Sequence, residues 1–238
     1  MSVLYTRCRG GVMRNGFLIV IFILGFASVS NAAPSYGTNM PEKKTLSARF
    51  ESYSLGKRYL EDNYGNLSSQ QQFFGLSYGF FHWFAVDLKS GGGNITYHSS
   101  AGDKVSYKAG FAGGYGLRLK FLDQKKFKGV FGFQHISVHP RSAHIGEVKH
   151  QAILDDWQVS LLGSYDFGKV VPYLGTRWSR VDYIHTANGE KKRVMSDFTK
   201  DIGLILGLDI PVTQKLFLNI EGQLLDSQAL SCSINYNF

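Results

Sequence analysis

Residues 105–121 read VSYKAGFAGGYGLRLKF, with apolar side chains on every second position. Val105, Tyr107, Ala109, Phe111, Tyr115, Leu117, Leu119 and Phe121 share one parity; Ser106, Lys108, Gly110, Ala112, Gly114, Gly116, Arg118 and Lys120 take the other. Successive side chains of a strand point to opposite faces, so this period of two describes one strand with an apolar and a polar face. Its length far exceeds the roughly five or six residues usual in a globular sheet. A strand that crosses a bilayer needs about nine to eleven tilted residues, and any excess projects into water.

The same alternation returns at residues 153–167, where Ile153, Trp157, Val159, Leu161, Tyr165 and Phe167 oppose Leu154, Asp156, Gln158, Ser160, Ser164 and Asp166. It returns at 197–210, with Phe198, Ile202, Leu204, Leu206, Leu208 and Ile210 on one parity, and at the chain end, where Leu230, Cys232, Ile234, Tyr236 and Phe238 alternate with serines and asparagines. Short links are expected near 79–82, 122–126, 167–169 and 211–215, and longer polar links near 56–70, 89–104, 139–150 and 182–196. A tight link near 226–228 is the exception to this alternation of short and long. The count gives an all-β, transmembrane, antiparallel up-and-down barrel of about ten strands, with eight as the alternative. An even number puts both termini on the side of the short turns.

Period two alone does not say which face meets lipid, so a secreted sandwich or a lipocalin-like barrel stands beside this reading. The polar parity argues for lipid outside. It would place Arg49, Glu51, Asp87, Lys89, Arg118, Asp156, Arg177, Asp201, Glu221 and Gln223 in the lumen, too many charges for a ligand cavity but suited to pairing across a packed barrel. Glycines such as Gly75, Gly110, Gly114, Gly116, Gly203 and Gly207 would leave them room. A barrel of this size falls between small filled barrels and open pores, which leaves a narrow wet path as an alternative.

At the N-terminus, Arg7, Arg9 and Arg14 precede an apolar run from Phe17 to Ala27 and then small residues, the order of a cleavable signal peptide. The expected division is a leader at 1–32, a short periplasmic segment at 33–44 and the barrel at 45–238, with Ala33 first after cleavage. Loss of the leader removes three arginines and no acid, leaving 23 basic against 18 acidic residues. Both signs are scattered, which argues against a nucleic-acid partner and for anionic lipid head groups. Cys8 leaves with the leader, so Cys232 has no disulfide partner in the mature chain.

With these features in place, the final strand ending Tyr236-Asn237-Phe238, the stretch VVPYLGTRW at 170–178 and LFLNIEGQLLD at 216–226 resemble the bacterial outer-membrane β-barrel superfamily of small opacity-type proteins. The resemblance implies a Gram-negative outer-membrane location and recognition of the last strand, with Phe238 at its end, by the barrel-assembly machinery. Such barrels are usually described with eight strands, and the count of ten departs from that.

Two constellations raise chemistry. His135 and Ser137 share a strand face and Glu147 follows, the elements of a hydroxyl nucleophile with base and carboxylate. This spacing resembles the outer-membrane lipid A deacylases, although Val138 stands where that family has Asn and the chain continues far beyond Glu147. His98, His135, His139, His144, His150 and His185 all map to the long-link side, without the helical spacing or cysteine partners of a metal site. The sequence therefore assigns no catalytic, cofactor-binding or metal-binding residue and no cofactor. It predicts a non-enzymatic envelope barrel with a structural or surface-interaction role, with a narrow porin-like channel and a lipid A deacylase-like hydrolase as alternatives. Lys57, Arg58, Arg141, Lys191, Lys192 and Arg193 are the residues expected to meet lipopolysaccharide phosphates or an external ligand at the loops.

Overall fold

The structure, a computed structural model, describes residues 36–238; the expected leader at 1–32 lies outside them. Twelve strands follow: β1 (Leu46–Tyr59), β2 (Gly65–Phe81), β3 (Phe84–Ser99), β4 (Lys104–Gln124), β5 (Phe127–His139), β6 (Ala143–Ile145), β7 (Val148–Tyr165), β8 (Val171–Ala187), β9 (Glu190–Met195), β10 (Ile202–Pro211), β11 (Leu216–Leu224) and β12 (Ser227–Asn237). All but β6 and β9 form one antiparallel circle, closed by β1 against β12 and by β7 against β8. The ten-stranded barrel is therefore the expected one. At the seam Ala48 faces Tyr236 and Phe50 faces Ile234, and the Phe238 amide donates to the Leu46 carbonyl at 3.0 Å.

Strand β2 shows what the two faces are for. Below its middle, Phe74, Leu76, Tyr78 and Phe80 point outward and lie exposed, while Ser77 is buried inside. Exposed Phe50, Leu88, Phe121, Leu161, Leu174, Leu206 and Ile234 carry the apolar surface around the circle. A soluble monomer rarely exposes an apolar patch of more than a few hundred Å². A belt running round the whole barrel matches hydrocarbon instead. Aromatic side chains edge it at both levels, with Phe80, Trp83, Phe127, Phe167 and Phe238 toward the short turns and Phe111, Trp157 and Trp178 toward the other end.

Above the belt the chemistry of each face reverses. In β2, Ser68, Gln70 and Gln72 now point out and Leu67 points in, with no change of parity. The segments expected as long polar links are largely strand: β2, β3, β4, β7 and β8 run for 16 to 21 residues, so about half of each stands beyond the hydrocarbon layer. The remaining connections at this end are short, such as residues 60–64 and 100–103. By contrast β10, β11 and β12 have only 10, 9 and 11 residues and end near the belt. Above them the β8–β9 hairpin leans across to β1, where Leu60 bridges Ser196 and the Asp197 amide donates to the Tyr59 carbonyl at 3.1 Å. The upper barrel thus has fewer strands and a narrower bore, of the size that side chains fill.

Two β-bulges correct the sequence reading of single residues. Between Gly93 and Ile95 of β3, β4 advances one residue more than its partner, from Gly110 to Tyr107. The extra residue flips parity, so Val105 and Tyr107 are buried inside while Phe111, Tyr115 and Phe121 remain outside. Expected as one apolar face, this segment is two, joined by a bulge. In β1 the extra residue is Gly56, which turns Arg58 inward, where it is 1% exposed. Arg58 is therefore no surface cation.

Candidate functional site

All ten residues expected in the lumen are buried there. They are arranged in layers, each with its own partners. Toward the short turns Asp87 accepts from Arg118 Nε at 2.9 Å and Nη2 at 2.8 Å, from Arg49 at 3.2 Å and from the Ser77 hydroxyl. Lys89 donates to Glu51 at 3.1 Å. Gly75 lets Arg49 lie flat against the wall, since a Cβ there would stand 2.6 Å from its Nε. Above, Gln134 donates to Gln158, and Gln158 to Asp156, at 2.9 and 2.6 Å. Beside them Tyr173 donates to Glu221 at 2.8 Å and accepts from Asn219 at 2.9 Å.

Residues 36–41, expected as part of a periplasmic segment standing before the barrel, instead enter this lumen. Arg49 stacks its guanidinium 3.7 Å from the centre of the Tyr36 ring, and Lys89 lies 4.8 Å from it. Arg118 donates to the Tyr36 and Asn39 carbonyls at 3.3 and 2.7 Å, and the Thr38 hydroxyl donates to Ser164 at 2.7 Å. The cations that line the wall hold the segment as a plug. Only Lys44 and Thr45 return to the rim, where the Lys44 amide donates to the Gly79 carbonyl.

A second network explains the tight link between β11 and β12. That turn folds inward and carries Asp226 into the lumen, fully buried. Its carboxylate accepts from Arg58 at 3.0 Å, from Arg177 Nε at 2.8 Å and from Ser179 at 2.9 Å. Arg58 also donates to the Ser179 carbonyl at 2.7 Å and the Ser196 hydroxyl at 3.0 Å, which ties the β9 end to the wall. Gly203 faces the carboxylate with a hydrogen where a Cβ would overlap it. Neither Arg58 nor Asp226 was assigned to the lumen by the sequence; Gly56, placed within a strand, is the one signal of the bulge that aims Arg58.

Beyond this network the bore is mainly apolar, with Gln71 donating to Ser69 at 2.9 Å as a buried polar pair. Leu55, Leu67, Ile95, Val105, Ile136, Val138, Leu154 and Val181 pack there with Tyr53 and Tyr107. Rings close the top: Tyr64 stacks on Tyr97 and Tyr97 on Tyr183, each at 5.3 Å, and Tyr183 shares a hydroxyl hydrogen bond with Tyr107 at 3.3 Å. His185 continues the stack and meets His150 at 3.0 Å. His185 lies seven residues, about 23 Å of strand, beyond Trp178 and outside the belt. Burial, then His150 and Lys192, push its pKa below the ordinary histidine value.

The remaining chemistry-bearing residues lie outside the barrel wall, just above the belt. His135, Ser137 and His139 project outward from β5, and Asp155 and Trp157 from the facing register positions of β7. Ser137 Oγ and His139 Nε2 share a hydrogen bond at 2.8 Å, His135 Nε2 lies 3.7 Å from Asp155, and the His135 ring packs 4.0 Å from the Trp157 ring. The carboxylate at this cluster is that of Asp155; Glu147 sits exposed in the turn between β6 and β7. Strand pairing, invisible in the local motif, supplies the acid. Among the described residues no three His, Cys, Asp or Glu side chains converge as a metal-binding group.

No protein-family model and no curated protein matches the chain. Among solved structures it is similar to the transport unit of the autotransporter AIDA-I from Escherichia coli, at 10% identity and a TM-score of 0.47 over 94% of this chain and 98% of that one. It is also similar to the outer membrane protease OmpT from Escherichia coli, at 10% identity and 0.43 over 82% and 94%, and to Ail, the attachment invasion locus protein of Yersinia pestis, at 10% identity and 0.42 over 84% and 100%. At that distance nothing of what those proteins do transfers to this chain. Its own geometry, an even-stranded closed sheet with an apolar belt outside and a polar lumen within, makes it a β-barrel of the outer-membrane type.

Proposed function

We propose that the protein is an integral outer-membrane barrel that does not conduct, and that it works through the polar sheet surface it raises above the membrane. The observation that carries this reading is the double filling of the bore, by residues 36–41 among paired charges below and by the apolar and tyrosine layers above. Water needs a continuous polar path, and in the upper layers the polar groups, the Gln71–Ser69 pair and the Tyr107–Tyr183 hydroxyls, bond to one another among apolar side chains. The raised wall has polar Ser68, Gln70, Thr96 and Ser106 outside and an apolar core inside, the pattern of a rigid soluble barrel. Lys57, Arg141, Lys191 and Lys192, with Arg193 beside its Asp182 partner, would then meet lipopolysaccharide phosphates. The β12 edge ending at Phe238 is the segment the barrel-assembly machinery would read. In planar bilayers the purified protein is expected to give no conductance steps; discrete openings would overturn the reading.

A second reading rests on one observation, the Ser137–His139 hydrogen bond with Asp155 beside it at the height of lipid head groups. His139 as base and Ser137 as nucleophile would suit an ester of an outer-leaflet lipid. The test is fatty-acid release from lipopolysaccharide by wild type and by Ser137→Ala. Release by wild type that the substitution abolishes would establish the hydrolase; no release by wild type would eliminate it.

A further inference from the structure

The belt is not smooth. In the outward-facing register row that crosses β5, β7, β8 and β10, the residues are Gly129, Gly163, Leu174 and Leu206. Two adjacent positions therefore lack a side chain. Phe121 folds its ring over Gly129, but nothing stands within 4 Å of where a Cβ on Gly163 would be. The result is a groove of about 990 Å³ walled by Phe121, Leu161, Leu174 and Leu206.

The groove runs toward the short turns and meets a second hollow, of about 560 Å³, with which it shares Phe127 and Tyr165. The walls of that hollow are otherwise polar and basic: Gln124, Lys125 and Lys126, with the Lys126 ammonium 5.9 Å from the centre of the Tyr165 ring. The carboxylates nearest in sequence are engaged elsewhere. Asp123 pairs with Lys120 at 2.5 Å, and Asp166 accepts from the Gly168 amide at 2.6 Å. An apolar trough at hydrocarbon depth thus opens into a cationic hollow at the aromatic edge of the belt.

From this juxtaposition we infer that the face of β5, β7, β8 and β10 binds one anionic glycerophospholipid of the leaflet facing the short turns. An acyl chain lies over Gly163 and the phosphodiester sits between Lys125 and Lys126. A zwitterionic lipid fits the trough equally but gains less at the lysines. Each lysine near an anionic membrane surface is worth about 1 kcal/mol, so the pair is expected to favour the anionic lipid by about thirty-fold.

The inference rests on the barrel spanning a bilayer, and the test separates the two. Full-length protein is reconstituted in nanodiscs of phosphatidylethanolamine with phosphatidylglycerol, released into detergent, and weighed with its retained lipid by native mass spectrometry. Wild type is expected to keep one phosphatidylglycerol in preference to phosphatidylethanolamine. Lys125→Gln with Lys126→Gln is expected to abolish the preference. Gly163→Leu, whose Cβ would stand in open space and whose side chain would occupy the trough, is expected to lose the lipid of either kind while keeping heat-modifiable gel migration. Equal retention of the two lipids by wild type, or undiminished retention by Gly163→Leu, would overturn the site and leave the barrel standing. Failure of the wild type to insert in nanodiscs would overturn both.

Discussion

Asp226→Asn is the substitution that probes most sharply how the lumen is held. The change is isosteric, so the turn between β11 and β12 keeps its shape, but the carboxylate that serves Arg58 and Arg177 becomes neutral and turns an NH₂ donor toward donors. Both guanidinium groups are almost wholly buried. Removing one partner of a buried ion pair costs about 3–5 kcal/mol, mainly because the remaining charge is left uncompensated. Here two arginines lose one shared anion, and Asp201, 3.7 Å from Arg58, compensates only in part. The expected loss is therefore about 4 kcal/mol, near a thousand-fold in the folding equilibrium. It can be read from urea unfolding of the reconstituted protein, followed by tryptophan fluorescence. The companion variant combines Arg58→Met, Arg177→Met and Asp226→Leu, which removes the shared carboxylate together with both of its guanidinium partners. It should regain most of the loss, since replacing a buried ion network by apolar groups of similar volume is often neutral or stabilising. A loss below about 1 kcal/mol for Asp226→Asn, or no recovery in the triple variant, would refute the claim that this network locks the turn into the lumen.

Two other outcomes follow from the same geometry. Because the fold lowers the pKa of His185, the unfolded chain takes up the proton first as pH falls; this contribution to stability is whole above the unfolded value of about 6.5 and fades as pH drops through the folded value. Urea midpoints should thus decline between pH 8 and pH 5 less steeply in His185→Gln than in wild type, and identical slopes would show that His185 is not the group responsible. With Tyr36 inside the lumen and cleavage expected after Ala32, N-terminal sequencing of protein taken from membranes should read Ala-Pro-Ser-Tyr; a longer N-terminus would contradict the expected leader boundary.

The sequence made the barrel legible because lipid and lumen impose opposite demands on adjacent residues, and a period of two records them directly in β7, β10 and β12. It located the charged lumen for the same reason: Arg49, Asp87 and Arg118 have no tolerable place on the belt. What it hid depends on pairing. One extra residue in β4 reverses the faces of Val105 and Tyr107, and Gly56 does the same for Arg58, yet a bulge leaves almost no local mark. The raised wall was missed because its outward Gln70, Asn94 and Thr96 read as link residues, while the inward Leu67 and Ile95 between them read as isolated apolar positions. At the outer-face cluster the histidines and Ser137 stood in one strand and could be seen together; Asp155 joins them only through the β5–β7 register.

The central claim is that one strand passes from lipid to water with its parity unchanged, and an accessibility scan along β2 tests it most directly. In a Cys232→Ser background, single cysteines at Ser68, Gln70, Gln72, Phe74, Leu76 and Tyr78 would carry a fluorophore in lipid vesicles, quenched in turn by acyl-chain spin labels and by an aqueous quencher. Labels at Phe74, Leu76 and Tyr78 should be quenched from the lipid and those at Ser68 and Gln70 from water, with the crossover at Gln72. Aqueous quenching at all six positions would place the apolar face of β2 outside the bilayer and contradict the account.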